Sequence, residues 1–142
     1  MSNWTGWFCF AVLSATAALH AYWAFGGLWP ATSEAELVRT VIGIERDRMP
    51  SFAMTLLVAA LIFAAGAFGL VRGVLGWDSL VFIRTPLGAL TAIFLLRGAA
   101  SYLPGPLANA AEPFAQLNAL YFSPLILLLG ACFAYLTLSP RH

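Results

Sequence analysis

Two side chains in this sequence could do chemistry inside otherwise apolar stretches: His20 and Arg97. A guanidinium stays charged at any working pH and presents a fork of donors that suits carboxylates, phosphates and carbonyls. Buried at mid-membrane it costs roughly 2.5–3.5 kcal/mol on insertion scales, so it is expected to face a bundle interior or a wet cavity. An imidazole accepts, donates or carries a proton near neutrality. Together they would make an anion or carbonyl anchor, Arg97, beside a hydrogen-bond partner or proton carrier, His20. The plain alternatives are that Arg97 snorkels to the interface or pairs with Glu45, Asp47 or Glu112. His20 would then only donate to a backbone carbonyl.

Several reaction classes fail on residue types. H-E-x-x-H, G-x-S-x-G and the P-loop pattern are all missing, and one histidine within a span cannot build a histidine-rich zinc site. The second histidine, His142, sits at the far end of the chain, which argues against bis-histidine haem. Neither a metal nor a cofactor is expected. Cys9 and Cys132 form no C-x-x-C pair and fall in apolar segments, where free cysteine acts as a small hydrophobe.

The elements that must position these groups follow from composition. The 142 residues are 61% hydrophobic and 9% charged, with net charge +1. A soluble domain is about 45–50% apolar and about 25% charged, and a small fold cannot hide so large an excess. Soluble enzymes, soluble binding modules and disordered chains are therefore excluded. All seven basic residues are arginine and form no basic block, so nucleic acid is not an expected partner. The chain is expected to sit in a lipid bilayer.

A membrane-crossing helix needs about 20 mostly apolar residues. Four segments qualify, at about 4–25, 51–71, 86–103 and 117–138. The third could begin as early as Trp77 if Arg84 snorkels. The first lacks the basic leader of a signal peptide and is read as a retained helix. Short connections imply an all-α, up-down-up-down bundle in one membrane domain. The longest connection, 26–50, is expected to carry a short surface helix over about 34–44. It would open on the S-x-x-E spacing of Ser33 and Glu36 and turn Leu37, Val41 and Ile44 inward. Packing is expected at Ala17-xxx-Ala21, Ala60-xxx-Ala64, Ala65-xxx-Gly69 and Gly98-Ala99-Ala100. Arg72, Arg84 and Arg141 fall on the side of the termini, and Arg39, Arg46 and Arg48 on the other, so the positive-inside rule ties. The tight placement of Arg72 and Arg84 against spans favours cytoplasmic termini.

Depth brings the two chemical residues together. At 1.5 Å per residue, His20 lies roughly 8 Å and Arg97 roughly 9 Å inside the ends of two parallel spans. Thr55, Asn118, Tyr121 and Ser123 enter the same layer from the other two. Thr16, His20 and Trp23 share one helix face, and Phe94, Arg97 and Ser101 another. Pro124 frees the carbonyl of Leu120 as an acceptor for Arg97 or water. The expected site is one polar pocket of His20, Arg97, Trp23, Tyr22, Tyr121, Ser101, Asn118 and Thr55, with Tyr102 in its wall and the 26–50 segment above it. It would bind, and by extension transport, a small anionic or amphipathic ligand. Two other readings fit the same residues: an accessory or assembly subunit of a larger membrane complex or homo-oligomer, and a small membrane enzyme with His20 as acid or base.

The run from His20 to Pro30 (HAYWAFGGLWP), the Leu96-Arg97-Gly98 turn and Tyr121-Phe-Ser-Pro-Leu125 resemble an uncharacterised family of small bacterial four-span membrane proteins, catalogued as a domain of unknown function. The resemblance covers nearly the whole chain. It implies a four-helix bundle in a bacterial inner membrane, and it implies no activity.

Overall fold

The computed structural model describes residues 1–140. Arg141 and His142, used above in the charge comparison and against haem, lie outside the described residues. The described chain is all-α. It runs through α1 (Ser2–Ala24), α2 (Glu34–Val41), α3 (Phe52–Gly73), α4 (Thr85–Ala100), α5 (Phe114–Leu117) and α6 (Ser123–Leu138). A π-helical turn, Leu80–Arg84, leads into α4, and another, Asn118–Phe122, joins α5 to α6. Four helices are long and apolar enough to cross a membrane: Ser2–Ala24, Phe52–Gly73, Leu80–Ala100 and Phe114–Leu138. The protein is thus a multi-pass membrane protein whose apolar helices contact lipid.

Each π-helical turn stands two residues before a proline, Pro86 or Pro124, in the first turn of the helix that follows. Proline has no N–H, so carbonyls one turn back lose their helical donor. At Pro124 a side chain takes over that role: Tyr102 Oη donates to the Ala119 carbonyl at 2.7 Å.

The spans form two hairpins. α1 packs along α3 and α4 along α6, with less extensive contact between the pairs. Small residues set both approaches, as expected where lipid supplies no hydrophobic drive between helices. A Cβ on Gly6 would meet the Gly69 carbonyl at 2.8 Å. In the second hairpin the notches are reciprocal: Gly98 of α4 receives Leu127, and Gly130 of α6 receives Leu95. Of the expected small-residue pairs, Ala65 and Gly69 are buried, as are Ala17 and Gly98, whereas Ala60 and Ala64 are exposed.

The hairpins meet in the half of the bundle that holds the termini. The core there joins Cys9 and Leu13 of α1, Ala65 of α3, Ile83 and Leu87 at the start of the third span, and Leu129, Phe133 and Leu136 of α6. Phe94 and Phe133 stack edge to face with centroids 5.3 Å apart. Cys9 and Cys132 are free thiols.

The surface helix forms where Ser33 accepts from the Glu36 amide at 3.2 Å. The Glu36 carboxylate bonds the Thr32 amide at 2.9 Å and hydroxyl at 2.6 Å, which holds it below the ordinary glutamate range. The helix stops at Val41, short of the expected 44, because Gly43 turns the chain at φ 82°. Ile44 therefore falls outside the helix and is exposed, and Val38 joins Leu37 in the buried face instead. The Gly43 carbonyl accepts from the Ala111 amide at 2.8 Å, so this segment is tied to the connection between α4 and α6.

Candidate functional site

The expected layer of polar residues is divided between the hairpins. On the first, His20 and Trp23 of α1 meet Thr55, Met54 and Val58 of α3 under Val41, Ile42, Met49 and Pro50. These residues enclose a cleft of about 250 Å³. No residue of α4 or α6 lines it.

The helix itself fixes the His20 ring. Its Nδ1 lies 2.8 Å from the Thr16 carbonyl one turn back, and Trp23 packs edge to face at 5.1 Å. A carbonyl only accepts, so Nδ1 carries the proton, and in neutral imidazole Nε2 is then an acceptor. Thr55 is buried, and its hydroxyl donates to the Ser51 carbonyl at 3.1 Å. Its oxygen keeps acceptor capacity. The cleft thus combines apolar walls, two of them flexible methionines, with two acceptor atoms.

On the second hairpin, Arg97 and Ser101 of α4 meet Asn118 and Ser123. Arg97 donates to Ser101 Oγ and to Asn118 Oδ1, each at 3.0 Å. Asn118 Nδ2 donates to Ser101 Oγ at 2.8 Å. Ser101 Oγ has then used both lone pairs, so its own hydrogen goes to the adjoining Ser123 hydroxyl. Ser123 in turn donates to Asn118 Oδ1 at 3.1 Å. The ring closes with these acceptors occupied. Asn118 and Ser123 are fully buried, Ser101 nearly so, and Arg97 is half-buried. No carboxylate lies within 4.0 Å of Arg97 among the described residues, which sets aside Glu45, Asp47 and Glu112 as partners. Arg97 lies in the last turn of α4, where the helix dipole favours a cation. Its partner on the fourth span is Asn118, not the Leu120 carbonyl that Pro124 was expected to offer.

The structure therefore brings His20, Trp23 and Thr55 together, and Arg97, Ser101 and Asn118 together, in two separate groups. Tyr22 joins neither. Its hydroxyl accepts from the Trp29 amide at 3.3 Å, and it braces the turn after α1. Tyr121 is 64% exposed and belongs to neither group.

A third polar group was not foreseen. Asp78 sits midway between Arg72 and Arg84 in the second connection. Arg84 grips it with Nε at 2.6 Å and Nη2 at 2.9 Å, and Arg72 Nε lies 3.9 Å from Oδ1. Both arginines also donate to the end of α6: Arg84 to the carbonyls of Thr137 and Ser139, and Arg72 to that of Ser139. Arg84 and the buried Arg72 fasten the hairpins together where carbonyls at a helix C-terminus lack partners. The even Arg-x5-Asp-x5-Arg spacing in a short connection was the available signal.

The described residues contain no group of three or more metal-ligating side chains. No curated protein and no solved structure matches the chain. Residues 7–133 match the family described as Protein of unknown function (DUF3995), and the chain belongs to that family.

Proposed function

We propose that this protein binds an amphipathic molecule in the cleft at His20, within a bacterial inner membrane. The cleft itself carries this reading. Ligand sites are mostly apolar hollows with a few converging polar groups, and Trp23, Val58, Met49 and Met54 around His20 and Thr55 fit that description. Methionine walls adapt to varied shapes. His20 Nε2 would take a hydrogen bond from the ligand's polar end. Arg97 serves in this reading to hold α4 to α6.

Native mass spectrometry of the protein purified in mild detergent tests it. The wild type should retain a small-molecule adduct. Val58→Phe, which fills the cleft, should lose it, and Arg97→Ala should keep it. An adduct lost from Arg97→Ala and kept by Val58→Phe would move the site to the second hairpin. No adduct in any form would leave the accessory-subunit reading in its place.

A further inference from the structure

We propose that the cleft at His20 continues into a second hollow ending at Glu34, and that its ligand carries a positive charge at that end. This rests on the reading of the cleft as a binding site, and it names the ligand class. The second hollow, about 140 Å³, lies between the turn after α1 and the start of α2. It shares Trp23, Met49 and Pro50 with the first, so at most one layer of side chains separates the two. Either volume alone falls below the roughly 300–1,000 Å³ usual for ligand sites. Joined, they come within it.

The linings differ in kind. The first hollow is apolar apart from His20 and Thr55, and the second has Glu34 and exposed backbone. Glu34 is the sole formally charged residue lining either. No arginine lies within 4.0 Å of its carboxylate among the described residues, and one oxygen, Oε2, accepts from the Met49 amide at 3.2 Å. That bond orients the carboxylate on the shared wall and leaves Oε1 open to a further donor. Trp23 stands between the hollows with its Nε1 committed to the Trp29 carbonyl at 2.7 Å. The indole is thereby held in place, and an indole face attracts cations. A carboxylate beside a fixed indole, at the mouth of an apolar cleft, suits an alkylamine or alkylammonium. The apolar body would lie between α1 and α3 and the ammonium at Glu34. A free amphiphilic amine and a lipid with an amine headgroup both have this chemistry.

Decylamine and decanol, equal in chain length and different in charge, distinguish the possibilities when titrated against the full chain in neutral maltoside micelles, with tryptophan fluorescence as readout. The amine should bind about five-fold more tightly than the alcohol, the ratio an exposed ion pair of ~1 kcal/mol gives. Glu34→Gln should erase that preference and leave decanol binding unchanged. Added salt should shrink it. Equal binding of both probes, unchanged in Glu34→Gln, overturns the charge assignment while the cleft stands. Binding of both that is untouched by Val58→Phe overturns the cleft itself. Glu34-dependent retention of phosphatidylethanolamine over phosphatidylglycerol in native mass spectra assigns the lipid as the source, and amine preference without such retention assigns a free amine.

Discussion

The α4–α6 hairpin is fastened by arginine at both ends, and the ends differ in what meets the charge. At the end near the termini, Arg72 and Arg84 share the carboxylate of Asp78 and the last carbonyls of α6. At the other end, Arg97 has only the neutral oxygens of Ser101 and Asn118. The first network reaches across hairpins, because Arg72 belongs to α3. The second stays within one. The half of the bundle with the cross-hairpin network holds the common core, and the half without it holds the cleft. An arginine within the apolar layer is therefore a structural stitch in this fold as readily as a binding group, and its partners decide which.

The largest effect should come from Asp78→Ala, which removes the carboxylate that Arg84 grips and the counter-charge beside the buried Arg72 guanidinium. Losing one partner of a buried pair costs about 3–5 kcal/mol, so this variant should show the greatest fall in Tm in detergent. Asn118→Ala should cost less. It removes a bond to a charged donor, worth about 1.5–3 kcal/mol, and opens the serine ring. If Asn118→Ala proves the more damaging, the ranking of the two ends is reversed. His20→Ala should be milder still, near the ~1 kcal/mol of an ordinary hydrogen bond, and should be felt in ligand retention instead of Tm. The smallest change is local. Glu36 has its pKa lowered by Thr32, so its contribution is present above the ordinary glutamate range and lost as pH falls through the depressed value. The protection factor of the Thr32 amide, its exchange measured against the intrinsic rate at each pH, should fall on acidification in the wild type and lose that pH response in Glu36→Gln.

The four spans and the surface helix were legible because hydropathy and the Ser33–Glu36 spacing act locally. The third span starts at Leu80, between the two starts expected from sequence, and the fourth begins at Phe114, three residues early. The π-helical turns were not legible. Pro86 and Pro124 mark where donors are missing, but the side chain that answers at Pro124, Tyr102, comes from elsewhere in the fold. Depth along each span placed His20 and Arg97 in one layer. Depth says nothing of azimuth, and the pairing of helices into hairpins put the two residues in different groups. Helix face and layer place Ser101 and Asn118 in one expected pocket with Arg97; in the structure they accept its hydrogen bonds. The Asp78 network was missed because its arginines were weighed as topology signals and not against the acid between them.

The turn at Gly43 has a consequence for sequence variation. A Cβ there would enter the ring of Phe114 and press on Ala110, and φ 82° already disfavours any side chain. Position 43 thus holds only glycine without strain: trimming Phe114 would free space, but the backbone and Ala110 would still resist a side chain there. A residue larger than glycine at 43 would therefore pull apart the contact between the first and third connections.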